Sequence, residues 1–88
     1  MPEIIIYSSP WCPYCVRAKR LLDAKNAPYT DIDVSGNSAL RAEMMQKANA
    51  HTVPQIWIAG VHVGGCDDLY QLERAGRLDE LLAPSTGL

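Results

Sequence analysis

Residues 4–34 set two short β-rich segments, Ile4–Tyr7 and Tyr29–Val34, on either side of one amphipathic helical pattern. The first, "IIIY", is apolar throughout and too short for a helix, which suits a strand buried on both faces. The second, "YTDIDV", sets Thr30, Ile32 and Val34 against Tyr29, Asp31 and Asp33, the two-residue alternation of a strand. Between them, from Pro13 to about Asn26, Cys15, Ala18 and Leu22 share one face with Leu21 beside them. Arg17, Lys19, Arg20 and Lys25 point outward, and Pro28 stops the helix. Antiparallel neighbours would need only a hairpin, so strand–helix–strand implies a parallel pair joined by a right-handed crossover.

The remainder extends this unit. After Ser35, Gly36 and Asn37, a second helix is expected from about Ser38 to Ala48, with Leu40, Met44 and Ala48 as its apolar line and Met45 also in the core. "PQIWI" and "VHVGG" are two strands joined by a tight turn at Ala59-Gly60. "DDLYQLERAG" is a third helix with Asp67 as N-cap, Leu69 and Leu72 inward and Gly76 at its end. "LDELLA" adds a short last helix. The order β-α-β-α-β-β-α-α predicts an α/β fold: a mixed four-stranded sheet with helices on both faces. Residues 1–83 form one domain and residues 84–88, "PSTGL", a frayed tail.

Composition closes several functional classes. Of 88 residues, 48% are apolar and 20% charged, enough for a core without help from metal or disulfides. The net charge is −2, and no basic run extends beyond Arg17, Lys19 and Arg20, so nucleic acid has no electrostatic footprint. No segment approaches the ~18 apolar residues of a membrane span. "MPEIIIYSS" has neither a charged n-region nor a cleavage site, which makes the cytosol the expected location.

There the cysteines carry the chemistry. Cys12 and Cys15 form a C-x-x-C pair, and Cys66 stands apart. In a reducing compartment such a pair is catalytic or metal-binding rather than a structural bridge. Zinc needs a second pair of ligands, and only Cys66, His51 and His62 are offered, at irregular spacing. A disulfide across two intervening residues closes too small a loop to stabilise much. Position decides for redox chemistry. Pro13 suits the first helical position, so Cys12 sits at a helix N-terminus, where free N–H groups and the macrodipole favour a thiolate. Cys15, a turn further in, is expected to be buried and protonated. Cys12 is then the attacking thiol and Cys15 the resolving one.

"CPYC" at 12–15, "TVPQIWI" at 52–58 and "GGCDDL" at 64–69, in this order and spacing, resemble the glutaredoxins of the thioredoxin-like superfamily, in particular the small bacterial dithiol kind. The likeness runs from Ile4 to about Leu82. It implies a glutathione-dependent thiol–disulfide oxidoreductase with Cys12 and Cys15 as the catalytic pair. It also implies a cis Val53-Pro54 bond, whose neighbouring Val53 N–H and C=O pair with a substrate backbone. The alternative for Pro54 is the start of an edge strand. Glutathione is then held by Tyr14, Arg41, Thr52, Val53, Pro54, Gly65, Cys66, Asp67 and Asp68. Backbone amides near Cys66 and Asp67 take one carboxylate, Asp67 or Asp68 the ammonium, and Arg41 the glycine carboxylate.

No metal is implied. The partners are glutathione, glutathionylated or disulfide-containing proteins and, indirectly, glutathione reductase with NADPH, with the chain acting as a monomer. One departure stands out: glutaredoxins commonly carry lysine three residues before the first cysteine, and this chain has Ser9. Trp57 stands where phenylalanine is frequent and is expected to fill core. Trp11 is either a docking surface or half-packed, and Cys66 either reactive or simply packed. Two other readings remain. One is a redoxin served by thioredoxin reductase, which "GGCDDL" and Arg41 oppose. The other is an iron–sulfur carrier, which Pro13 and Cys15 oppose.

Overall fold

The computed structural model describes residues 2–83; the expected tail at 84–88 lies outside the described residues. Its elements are β1 (Ile4–Ser8), α1 (Pro13–Ala24), β2 (Thr30–Asp33), α2 (Ser38–Ala48), β3 (Gln55–Ile58), β4 (Val61–Gly64), α3 (Cys66–Arg74) and α4 (Leu78–Leu82). The sheet order is β2-β1-β3-β4. β1 pairs parallel with β2, as the strand–helix–strand opening requires, and antiparallel with β3. β3 and β4 form the hairpin. Ala59 and Gly60 both have positive φ, 53° and 80°, the backbone of a tight turn matched to strand twist.

Alternation along the strands divides the interior in two. Ile4, Ile6, Ile56 and Ile58 turn to one face and meet Ala18, Leu21 and Leu22 of α1, Leu69 of α3, and Leu78 and Leu82 of α4. Tyr7 and Val34 turn to the other face and meet Met44 of α2, with Ile5, Leu40, Val53 and Trp57 packed around them. Met45, one residue on from Met44, lies on the outer side of α2 and is exposed, contrary to its expected place in the core. A helix advances about 100° per residue, so adjacent methionines cannot both face inward on one narrow apolar line.

Two helix ends differ from the expected boundaries. α1 stops at Ala24, before Pro28 has any part in it. Asn26 takes a left-handed conformation (φ 54°), its N–H donates to the Asp23 carbonyl at 3.0 Å, and the Ala27 N–H donates to the Leu22 carbonyl at 3.0 Å. This is a Schellman cap, with asparagine in the place glycine usually takes. Gly76 (φ 71°) makes the same arrangement after α3, with Arg77 donating to Leu72 at 2.9 Å. α3 also begins two residues earlier than the expected cap at Asp67 implies. Gly65, not Asp67, is the N-cap, and the Asp68 carboxylate reaches back to accept the Gly65 N–H at 2.9 Å. That is the returning half of a capping box, in which the acidic residue belongs at the third helical position. Lys25 joins the end of α1 to Glu73 and Asp79, at 2.7 and 2.9 Å.

Candidate active site

β1 delivers the chain to a short loop whose end is Cys12. The Cys12 N–H donates to the Ser9 carbonyl at 3.3 Å, which turns the loop into the helix. Cys12 is the N-cap of α1 and Pro13 the first helical residue. The Cys12 Sγ accepts the Cys15 backbone N–H at 3.3 Å, so the sulfur does what a capping serine or aspartate oxygen does elsewhere. In the thiol form, Sγ also donates to the Val53 carbonyl, 3.6 Å away.

Cys15 has none of this access. It is fully buried, and burial pushes its thiol up to about 12, with the neighbouring Cys12 adding to the rise and the Ser9 backbone N–H opposing it. The two sulfurs therefore have opposite surroundings: one half-open and fed by a helix N–H, the other sealed beneath it and protonated.

Next to the pair lies a cleft of about 470 Å³, inside the range of small-molecule sites. Tyr14 of α1 stands on one side. Thr52, Val53 and Pro54, from the loop after α2, form the floor, and Gly64, Gly65, Cys66, Asp67 and Asp68, at the β4–α3 turn, close the other side. Three segments far apart in the chain, each carrying one of the quoted motifs, thus meet in one place. The Val53-Pro54 bond is cis. Pro54 leads into β3, which has β1 on one side and β4 on the other, so the edge-strand reading of Pro54 does not hold.

At the far wall, Cys66 and Asp67 open α3, and their backbone N–H groups have no acceptor inside the helix. The Asp68 carboxylate is committed to the Gly65 N–H, whereas Asp67 is exposed at the cleft. Gly64 is required here: its φ is +116°, and a Cβ would collide with the Asp68 carboxylate. Cys66 is buried among the α3 core residues, and burial raises its thiol, so packing describes this cysteine better than reactivity.

Arg41 does not line the cleft. It is half-buried on α2, and its Nη1 donates to the His51 carbonyl at 3.4 Å, one residue before Thr52. Lys19 and Arg17 are also engaged elsewhere. Burial works against the Lys19 charge, but its bond to Asp31 outweighs this and raises its pKa; Asp31 in turn accepts from the buried Ser8 hydroxyl. The Arg17 guanidinium lies over the Tyr70 ring, 5.3 Å from its centre. Trp11 is 85% exposed, which removes the half-packed reading. Trp57 packs edge-on against Tyr7 and lies against His62.

Ala50, Gln55 and His62 line the cleft but lie outside the ligand set that the resemblance implies, His62 being weighed in the sequence only as a zinc ligand. For Gln55 and His62 the signal is the hairpin register: a two-residue turn at Ala59-Gly60 pairs Trp57 with His62 and puts His62 on the face shared by Gln55. Among the described residues, no three His, Cys, Asp or Glu side chains gather as a metal-binding group, and no helix is long and apolar enough to cross a membrane.

A helix-capping cysteine sulfur over a buried partner thiol, on a β-α-β unit beside the Val53-Pro54 loop, defines a thiol–disulfide oxidoreductase of the thioredoxin-like class. The glutaredoxin family model matches residues 4–63. Over 83 residues the chain is 57% identical to a Pseudomonas aeruginosa protein named glutaredoxin, covering 94% of this chain and 99% of the relative. It is 48% identical over 82 residues to glutaredoxin 3 of Escherichia coli K12, covering 93% and 99%. A solution structure of glutaredoxin from Brucella melitensis superposes with a TM-score of 0.83 at 56% identity, covering 93% of this chain and 89% of that one. A buckwheat glutaredoxin–glutathione complex superposes at 0.86 and 33% identity, covering 92% and 76%. The chain belongs to the glutaredoxin family, and it is by class a glutathione-dependent oxidoreductase.

Proposed function

We propose that this protein reduces protein–glutathione mixed disulfides and protein disulfides in the cytosol, as a monomer whose active domain is residues 1–83. The observation that carries the reading is the contrast between the two sulfurs: Cys12 capped by the Cys15 N–H, and Cys15 buried with its thiol pushed up to about 12.

The Cys12 thiolate attacks the glutathione sulfur of a mixed disulfide. The S–S bond breaks, the client leaves as a thiolate that takes a proton from water, and glutathione stays on Cys12. The cleft then holds that glutathione. Val53 pairs with its backbone beside Pro54, Tyr14 flanks it, and the Cys66 and Asp67 amides at the start of α3 receive a carboxylate. Asp67, whose carboxylate is free of the capping bond that occupies Asp68, takes the ammonium. Arg41 serves the second carboxylate only by exchanging its bond to the His51 carbonyl for the ligand. A second glutathione thiolate attacks the bound glutathione sulfur, forms glutathione disulfide and returns Cys12 as the thiolate; glutathione reductase and NADPH recycle the product.

With a protein disulfide, Cys12 first makes a mixed disulfide with the client. Cys15 then loses its proton, attacks the Cys12 sulfur and expels the client thiolate, leaving Cys12–Cys15 oxidised. Rates follow thiol pKa and access, so Cys15 acts only after Cys12.

The test is Cys15→Ser. Reduction of mixed disulfides should persist, and reduction of protein disulfides should be lost. Protein-disulfide turnover that survives the substitution would refute the division of labour.

A further inference from the structure

Gln55 is one of two buried polar side chains among the described residues, and every polar atom of its amide is used. Its Nε2 donates to the Thr52 carbonyl at 3.0 Å and to the Thr52 hydroxyl oxygen at 3.3 Å. Its Oε1 faces His62 Nε2 at 2.7 Å. The orientation follows from chemistry. Turned over, the amide would set its oxygen against the Thr52 carbonyl, acceptor against acceptor, so nitrogen must face Thr52 and oxygen must face His62. His62 therefore carries a proton on Nε2, and its ring is held in place by Trp57, 4.7 Å between centroids.

The consequence falls on Thr52. Its hydroxyl oxygen already accepts from Gln55, so its own hydrogen is left to donate, and Thr52 is exposed at the cleft. We propose that His62 and Gln55 are positioning residues that polarise Thr52, making its hydroxyl a hydrogen-bond donor for a carboxylate of the thiol substrate and so selecting glutathione over uncharged thiols. The relay runs from β4 through β3 to the loop beside Cys12. Val53, the residue after Thr52, is the one whose carbonyl meets the Cys12 sulfur. The assignment rests on the glutathione reading of the cleft and adds to it the means of choosing the substrate.

The test uses the oxidised protein and three reductants: glutathione, glutathione diethyl ester and dithiothreitol. Second-order rate constants are read by stopped-flow tryptophan fluorescence. Gln55→Met removes the amide at similar length. His62→Phe keeps the ring on Trp57 but loses the N–H, and lies at an exposed position where folding is not at risk. His62→Gln restores a donor. In Gln55→Met the glutathione-to-dithiothreitol ratio should fall by about 10-fold, the loss of one hydrogen bond to a charged group, and the preference for glutathione over its ester should shrink with it. His62→Phe should move both ratios the same way, and His62→Gln should bring them back.

Ratios that stay at the wild-type values overturn the proposal, whether because nothing changes or because all three reductants slow together, as a purely structural role predicts. A wild-type protein that does not distinguish glutathione from its ester would instead refute the glutathione cleft itself.

Discussion

The β4–α3 turn makes the sharpest demand on the backbone, and Gly64→Ala tests it. Gly64 has φ +116°, and a Cβ built there lies 2.8 Å from Asp68 Cγ and closer still to one carboxylate oxygen. Holding a side chain in such a sparsely populated region costs about 1–3 kcal/mol. Displacing the Asp68 carboxylate from the Gly65 N–H loses a cap interaction of about 0.5–2 kcal/mol. Together these give roughly 2–4 kcal/mol, and in a domain of this size each kcal/mol lowers Tm by about 4–8 °C. A drop of more than about 8 °C in a circular dichroism melt is expected. The two costs are separable in a cycle with Asp68→Ala. Once the carboxylate is gone, the added methyl meets less, so Gly64→Ala should cost about 0.5–2 kcal/mol less in that background. Strict additivity would refute the steric part of the reasoning, and a Tm unchanged by Gly64→Ala would refute all of it.

Two further outcomes follow from local structure. The Cys15 thiol has an ordinary value of 9.0 and is pushed up to about 12 in the fold, so the folded state keeps a proton that the unfolded chain gives up between these limits. Its contribution to stability is therefore complete below pH 9 and declines as pH rises toward 12; urea unfolding at pH 7 and pH 10 should show a larger loss in wild type than in Cys15→Ala, and equal losses would contradict this. Ala59 occupies the left-handed region (φ 53°) in the hairpin turn. Ala59→Asn, which suits that conformation, should stabilise by about 0.5–1 kcal/mol, read as a higher urea midpoint without a change in slope.

Features set by spacing along one element were legible in the chain. The short apolar run at Ile4–Tyr7 and the two-residue alternation at Tyr29–Val34 marked the first two strands, Ala59-Gly60 the hairpin, and Pro13 the start of α1 with Cys12 as its cap. The parallel β1–β2 pair followed from the helix between them. What escaped depended on groups that meet only when the backbone closes on itself. Asn26 and Ala27 end α1 through bonds back to Asp23 and Leu22, around a left-handed turn that asparagine allows but does not announce. Asp67 and Asp68 are chemically alike in the sequence; only the position of Gly65 decides which of them reaches its N–H. Arg41, assigned to the ligand by resemblance, is found on a backbone carbonyl instead. Gln55 and His62 lie seven residues apart across the hairpin, and their bond becomes visible once the register pairs Trp57 with His62.

Cys12 and the adjoining cleft are proposed to run on glutathione even though Ser9 replaces the lysine usual in this family. A paired turnover assay tests this directly. NADPH loss is followed with a mixed-disulfide substrate in two cells, one holding glutathione and glutathione reductase, the other thioredoxin reductase, each with wild-type protein and with Cys12→Ser. Turnover is expected in the glutathione cell alone, and it should be lost in Cys12→Ser. Turnover supported only by thioredoxin reductase would contradict this and make the cleft residues incidental to the chemistry.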